Sequence, residues 1–214
     1  VVGPSDPRAA MVINVGRKIS GAVNKYLVDV GQSPRVDQFD WQFNLVENDA
    51  VNAWCMPGGK VVFYTGILPL TQDEDGLAVV MAHEIAHAVA RHGNERMSQQ
   101  LLVLAGGLTL DVALREKPEL TRDIFLLSYG VGSTLGTLAY SRKHEYEADR
   151  LGMIFMAMAG YNPEAAIPFW ERMLALQEGP APPEFLSTHP GSRNRIKAAG
   201  DFLPEAMKYY QPTP

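Results

Sequence analysis

The chain has 214 residues, with 19 Lys and Arg against 24 Asp and Glu, a formal charge of −5 and 46% apolar residues. That balance excludes a wholly disordered chain, and a mildly acidic sequence without a Lys/Arg-rich block speaks against nucleic acid as a main partner. The single Cys55 excludes an intrachain disulfide and any multi-cysteine metal site. The length suits one domain, residues 1–214, with a full core. Residues 1–20 show no charged start followed by an apolar stretch, so the expectation is a cytosolic chain or one whose targeting segment has been removed.

Ser5-Asp6-Pro7 predicts a helix start, and residues 8–28 carry Val12, Val15, Ile19, Val23 and Leu27 at helical spacing before Gly31. Residues 41–46, 52–56 and 60–65 read as three short strands, the last two separated by Pro57-Gly58-Gly59. Their close spacing predicts a small three-stranded antiparallel sheet. Thr71 and Glu74 match a capping box for a helix running to about residue 92, with Gly93 as its end. Further helices are expected over 95–114, weakened at Gly106-Gly107, and over 122–159, stopped by Gly160. Asn162-Pro163 starts another, and the last begins near Ser192 and reaches about residue 210. Residues 179–191, rich in Pro and Gly, read as a loop. The fold class is therefore α+β and mostly helical.

Residues 83–87 read His83-Glu84-Ile85-Ala86-His87, an HExxH motif. With five His and thirteen Glu in the chain, chance supplies ~0.007 such motifs. One helical turn places His83 and His87 on the same face, where two imidazoles can bind zinc. Glu84 lies about 100° around the helix, where a general base for a metal-bound water belongs. A catalytic zinc needs a third protein ligand. Cys55 sits in a β-like segment without a second thiol, and His92 lies on another face, so both are weak candidates. Glu145 and Asp149 are four residues apart and share a face. Glu145 suits the metal, and Asp149 suits the outer N–H of a ligand histidine. The alternative from spacing alone is a solvated charged face, with Glu145 paired to Arg142 or Arg150.

His83-Glu84-Ile85-Ala86-His87 together with the segment 141–152, the Asn52-Ala53 pair before the Pro-Gly-Gly turn, and Ser187-Thr188-His189-Pro190 resemble a known family. It is the HExxH zinc metalloendopeptidase family that includes the CAAX prenyl protease and the bacterial heat-shock membrane protease. The type is nearest to its soluble periplasmic β-barrel-assembly-enhancing member and its mitochondrial quality-control member. The resemblance covers about residues 52–195. It implies a zincin-like (gluzincin) fold with the sheet beside the active-site helix. It also implies one zinc per chain held by His83, His87 and Glu145, with Glu84 as base and Asp149 behind a ligand. His189 and Arg195 are then candidates for holding the oxyanion. In some relatives the equivalent histidine reaches the metal and blocks the site, and Arg195 can equally pair with Asp149. Asn52 and Ala53, in an edge strand beside the cleft, are the substrate-binding candidates; a turn-forming Asn52 is the plain alternative.

The resemblance implies an endopeptidase for unfolded or misassembled proteins of the periplasm or cell envelope, with a polypeptide as its partner. Two charge-free stretches, 97–110 and 124–141, are too short or too diluted by Gly, Ser and Thr to span a bilayer. The expectation is a buried or surface-lying helical hairpin that lids the cleft, with peripheral membrane contact through residues 97–141 as the alternative. Oligomeric state is not legible. Two rivals stand: a metal-dependent amidase for small substrates, and a latent or chaperone-like protein whose zinc is capped by His189.

Overall fold

The computed structural model describes residues 1–177 and 183–212. Helix α1 (Pro7–Asp29) starts at Asp6, whose carboxylate accepts from the Arg8 N–H at 2.8 Å. Its apolar stripe, from Ala9 through Val12, Val15, Ile19 and Val23 to Leu27, is buried throughout. The helix lies close on the first strand: a Cβ at Gly16 would meet the Phe43 ring at 2.3 Å.

Strands β1 (Gln42–Val46), β2 (Ala53–Met56) and β3 (Lys60–Tyr64) form one sheet in the order β1-β3-β2. The sheet is mixed, which corrects the antiparallel expectation. β2 and β3 are antiparallel, joined by the turn in which Gly58 and Gly59 take φ of 85° and 90°. β1 runs parallel to β3, Gln42 opposite Lys60 and Val46 opposite Tyr64. Residues 47–52 carry the chain past β3 to its far edge, so β1 and β2 never become a hairpin.

A short helix α2 (Leu68–Thr71) precedes α3 (Glu74–Val89). The capping box at Thr71 does not form. Asp73 caps α3 by accepting from the Gly76 N–H at 2.8 Å, and Thr71 donates instead to the Leu68 carbonyl. Asp73 is the nearer oxygen with extended backbone, while Thr71 is still inside α2. α3 is buried nearly all round, from Leu77 through Met81 to Ile85 and Val89. It ends at Val89 rather than near 92, because Arg91 is left-handed (φ 61°) and His92 already opens the next helix.

That next helix, α4 (His92–Ala113), runs unbroken through Gly106-Gly107, and α5 (Glu119–Met158) is continuous over 40 residues. α6 (Ala166–Gln177) follows Gly160 (φ 87°) and a turn capped by Asn162. A one-turn helix α7 (Phe185–Thr188) lies in the segment expected to be loop, of which residues 179–182 fall outside the described residues. α8 (Arg193–Ala206) is capped by Ser192, which accepts from the Arg195 N–H at 3.1 Å.

The chain divides into two compact units, Val1–Ala90 with Glu145–Pro214, and Arg91–His144. The first holds the core, in which α1 packs on α3 and on β1, and α6 packs on α8. A Cβ on Gly152 of α5 would stand 3.1 Å from the His83 nitrogen, so α3 and α5 cross there at nearly backbone contact. In the second unit Tyr129 of α5 sits over Gly106 and donates to the Val103 carbonyl at 2.9 Å. His92 stacks on His144 at 4.1 Å, and His144 Nε2 lies 2.9 Å from Glu95. Among the described residues no helix is long and apolar enough to cross a membrane.

Candidate metal centre

α3 presents His83 and His87 one turn apart, and the Gly152 crossing brings the inner face of α5 against them. Glu145 and Asp149, one turn apart on α5, therefore reach the same point. His189 arrives from the end of α7 and Arg195 from the first turn of α8. All lie in the unit that contains the core. His83, Glu84, Glu145, Asp149, His189 and Arg195 are buried, and His87 is slightly open.

Four donor groups converge: His83, His87, Glu145 and His189. His83 Nε2 lies 3.1 Å from His87 Nε2, 3.3 Å from His189 Nδ1 and 3.4 Å from Glu145 Oε2. Glu145 Oε1 lies 3.3 Å from His87 Nε2 and 3.2 Å from His189 Nδ1. An ion about 2.0–2.1 Å from each of four tetrahedral donors needs them ~3.3–3.4 Å apart. Five of the six pair separations come close to that spacing, with Glu145 reaching His83 through one oxygen and His87 through the other. The charge also fits such an ion. With the imidazoles neutral, as ligation requires, Glu84, Glu145 and Asp149 are three buried carboxylates facing one buried guanidinium, an imbalance of two that a divalent cation closes.

The titration behaviour follows from this crowding. Burial alone would push His83 down, but the carboxylates of Asp149 and Glu145 overrule it and push its pKa up to about 9. Burial, against the pull of Glu145, takes His87 down to about 3. Glu145 is held well below the usual carboxylate range: burial opposes this, and its three histidine neighbours win. Asp149 is lowered for the same kind of reason, with Arg195 and His83 outweighing burial. Glu84 behaves oppositely. Burial pushes it up, only partly offset by His189 and His83. The Cys55 thiol is raised by burial and by the Glu84 charge, and it stands outside the converging donors. His92 is in the other unit, stacked on His144.

His189 turns Nδ1 toward the donor cluster and Nε2 toward Glu84 Oε1, 3.4 Å away. Arg195 grips Asp149 with two 2.8 Å bonds through Nε and Nη2, donates to the Pro190 carbonyl at 3.0 Å, and lies 3.0 Å from Glu145 Oε2. This is the Asp149-pairing alternative for Arg195. Asn52 accepts from the Ala53 N–H at 2.9 Å and its carbonyl accepts from Tyr64, so its side chain starts the strand. Ala53 is buried, and β2 is an outer strand of the sheet beside α3.

Two residues of the site escape sequence reasoning. Trp170 of α6 lies edge-on to His83 at 5.2 Å with the Arg195 guanidinium 4.4 Å above its ring, and Phe185 stacks on His189 at 4.7 Å. Phe185 lies in the segment read as loop, four residues before His189, and Trp170 lies in a helix with no nearby motif residue to mark it.

Comparison with known proteins agrees with the geometry. A profile of Peptidase family M48 matches residues 17–202. The mitochondrial metalloendopeptidase OMA1 of Schizosaccharomyces pombe is 41% identical over 173 residues, 78% of this chain and 48% of that protein. OMA1 of Saccharomyces cerevisiae is 32% identical over 220 residues, 99% of this chain and 60% of the relative. The beta-barrel assembly-enhancing protease of Escherichia coli K12 is 32% identical over 164 residues, 74% and 34%. The chain thus spans between a third and three fifths of the length of these relatives. The matched span takes in the HExxH turn, the Glu145 and Asp149 pair, and His189, and the chain belongs to Peptidase family M48.

Proposed function

We propose that the chain is a zinc-dependent endopeptidase, with His83, His87 and Glu145 as metal ligands and Glu84 as general base. The observation that carries this reading is the convergence of the donor atoms at 3.1–3.4 Å with a buried carboxylate beside them. A zinc ion held there would polarise a water and a peptide carbonyl and lower the barrier to attack. Glu84, buried beside the donor cluster, takes the proton from the attacking water and then delivers it to the leaving nitrogen. Asp149 lies 3.0 Å from His83 Nδ1 and so keeps Nε2 turned to the metal. An extended substrate adds along the outer edge of β2 through main-chain hydrogen bonds. That edge favours endopeptidase over a small-substrate amidase.

Unfolded or misassembled envelope proteins are the substrate class in this reading, supported by likeness to a protease named for β-barrel assembly. The OMA1 relatives are named as mitochondrial, so a periplasmic or envelope placement of this chain rests on its likeness to the beta-barrel assembly-enhancing protease. Glu84→Gln is expected to keep metal content and melting temperature while casein cleavage falls by about 10²–10⁴-fold. Undiminished turnover removes Glu84 from the base role.

One observation favours a latent resting state. His189 Nδ1 stands among the metal donors, at the corner where the reacting water belongs. In this reading His189→Ala raises cleavage; a fall instead makes His189 a group that assists the reaction.

A further inference from the structure

The Arg195 guanidinium is buried, and burial of a planar cation sets two requirements. Its edge must be filled with acceptors, and its faces, which carry no donors, need a surface that tolerates charge. The edge is filled by both Asp149 oxygens, the Pro190 carbonyl and Glu145. The face is supplied by Trp170, with the guanidinium carbon 4.4 Å from the ring centroid, the arrangement of a cation–π contact. The same indole meets the His83 ring edge-on at 5.2 Å. Trp170 is itself only 4% exposed, so neither partner can slide without the other.

We propose that Trp170 is a positioning residue of the metal centre: its indole face seats Arg195, which in turn aims Asp149 at His83 and Glu145 at the ion. The inference rests on the metal-centre reading above. It separates Trp170 from a plain core filler, whose loss lowers stability alone. Trp170 acts through Arg195, so its effect is felt in metal affinity and in the shape of the site.

The test uses the full chain and titrates it with zinc and with cobalt(II), whose visible spectrum reports ligand geometry. The unsubstituted chain is the control, and its failure to bind either metal sinks the metal-centre reading, not this inference alone. Trp170→Leu is expected to weaken zinc binding by about tenfold and alter the cobalt spectrum, and Trp170→Phe, which keeps an aromatic face, to recover to within about threefold. Arg195→Lys keeps the charge and loses the plane, so it too weakens binding. In that background Trp170→Leu adds less than about a twofold loss. A Trp170→Leu chain with a lower melting temperature but parental affinity and spectrum overturns the proposal. If Trp170→Leu fails to fold, parental affinity and spectrum in Arg195→Lys overturn it instead.

Discussion

α3 and α4 follow one another in the chain and are both rich in apolar residues, yet their apolar side chains meet opposite fates. In α3 Leu77, Met81 and Ile85 are 0% exposed. In α4 Leu101, Leu102 and Leu108 are 60–72% exposed, and in the first half of α5 Leu120 and Leu127 are 73% and 70% exposed. The charges divide in the same way. Residues 91–144 hold 7 Lys and Arg against 5 Asp and Glu, leaving 12 against 19 for the rest of the chain. The helix that carries the HExxH turn is locked in a core, and the hairpin after it is built from local contacts. Apolar periodicity therefore marks a helix but does not say what buries it.

The comparison can be broken by substitution. Ile85→Ala, inside the HExxH turn but facing the core, is expected to cost about 2–5 kcal/mol in chemical denaturation, because the packed α3 surroundings cannot close the void. A loss below about 1 kcal/mol contradicts the rigid seat ascribed to α3. A smaller effect concerns pH. His83 holds a proton up to about 9 in the metal-free chain, whereas His87, at about 3, holds none near neutrality. Metal binding must expel the His83 proton, so affinity rises about tenfold per pH unit below 9 and levels off above it. Calorimetry in buffers of different ionisation enthalpy should show about one proton released per metal near pH 7.5. Release of none contradicts the His83 assignment. Smallest of all, Leu102→Ala in α4 should change stability by less than about 0.5 kcal/mol, since no cavity forms at an exposed site.

Much of the site was legible because helical spacing fixes faces. His83 with His87, and Glu145 with Asp149, each follow from a four-residue step. That the two faces meet came from the family resemblance and not from spacing, since it depends on the absence of a side chain at Gly152, one glycine among 19. The seat of Arg195 on Trp170 joins residues on two helices, and no periodicity records such a pair. The strands themselves were legible, but not the parallel β1–β3 pairing. A two-glycine turn announces a hairpin, while a six-residue connection does not say which side of the neighbour it reaches. The misplaced cap at Thr71 has a similar cause. Thr71 and Asp73 both fit the local pattern, and only the preceding turn, α2, decides between them.

Direct titration of the metal-free chain and of Glu145→Gln with zinc addresses the account at its centre, which is that two helices, brought into contact, assemble one ion site from separate halves of the sequence. The account predicts one zinc per chain and a loss of affinity of more than about 100-fold in Glu145→Gln. Equal affinity in the two proteins would show that α5 contributes no ligand and would contradict it.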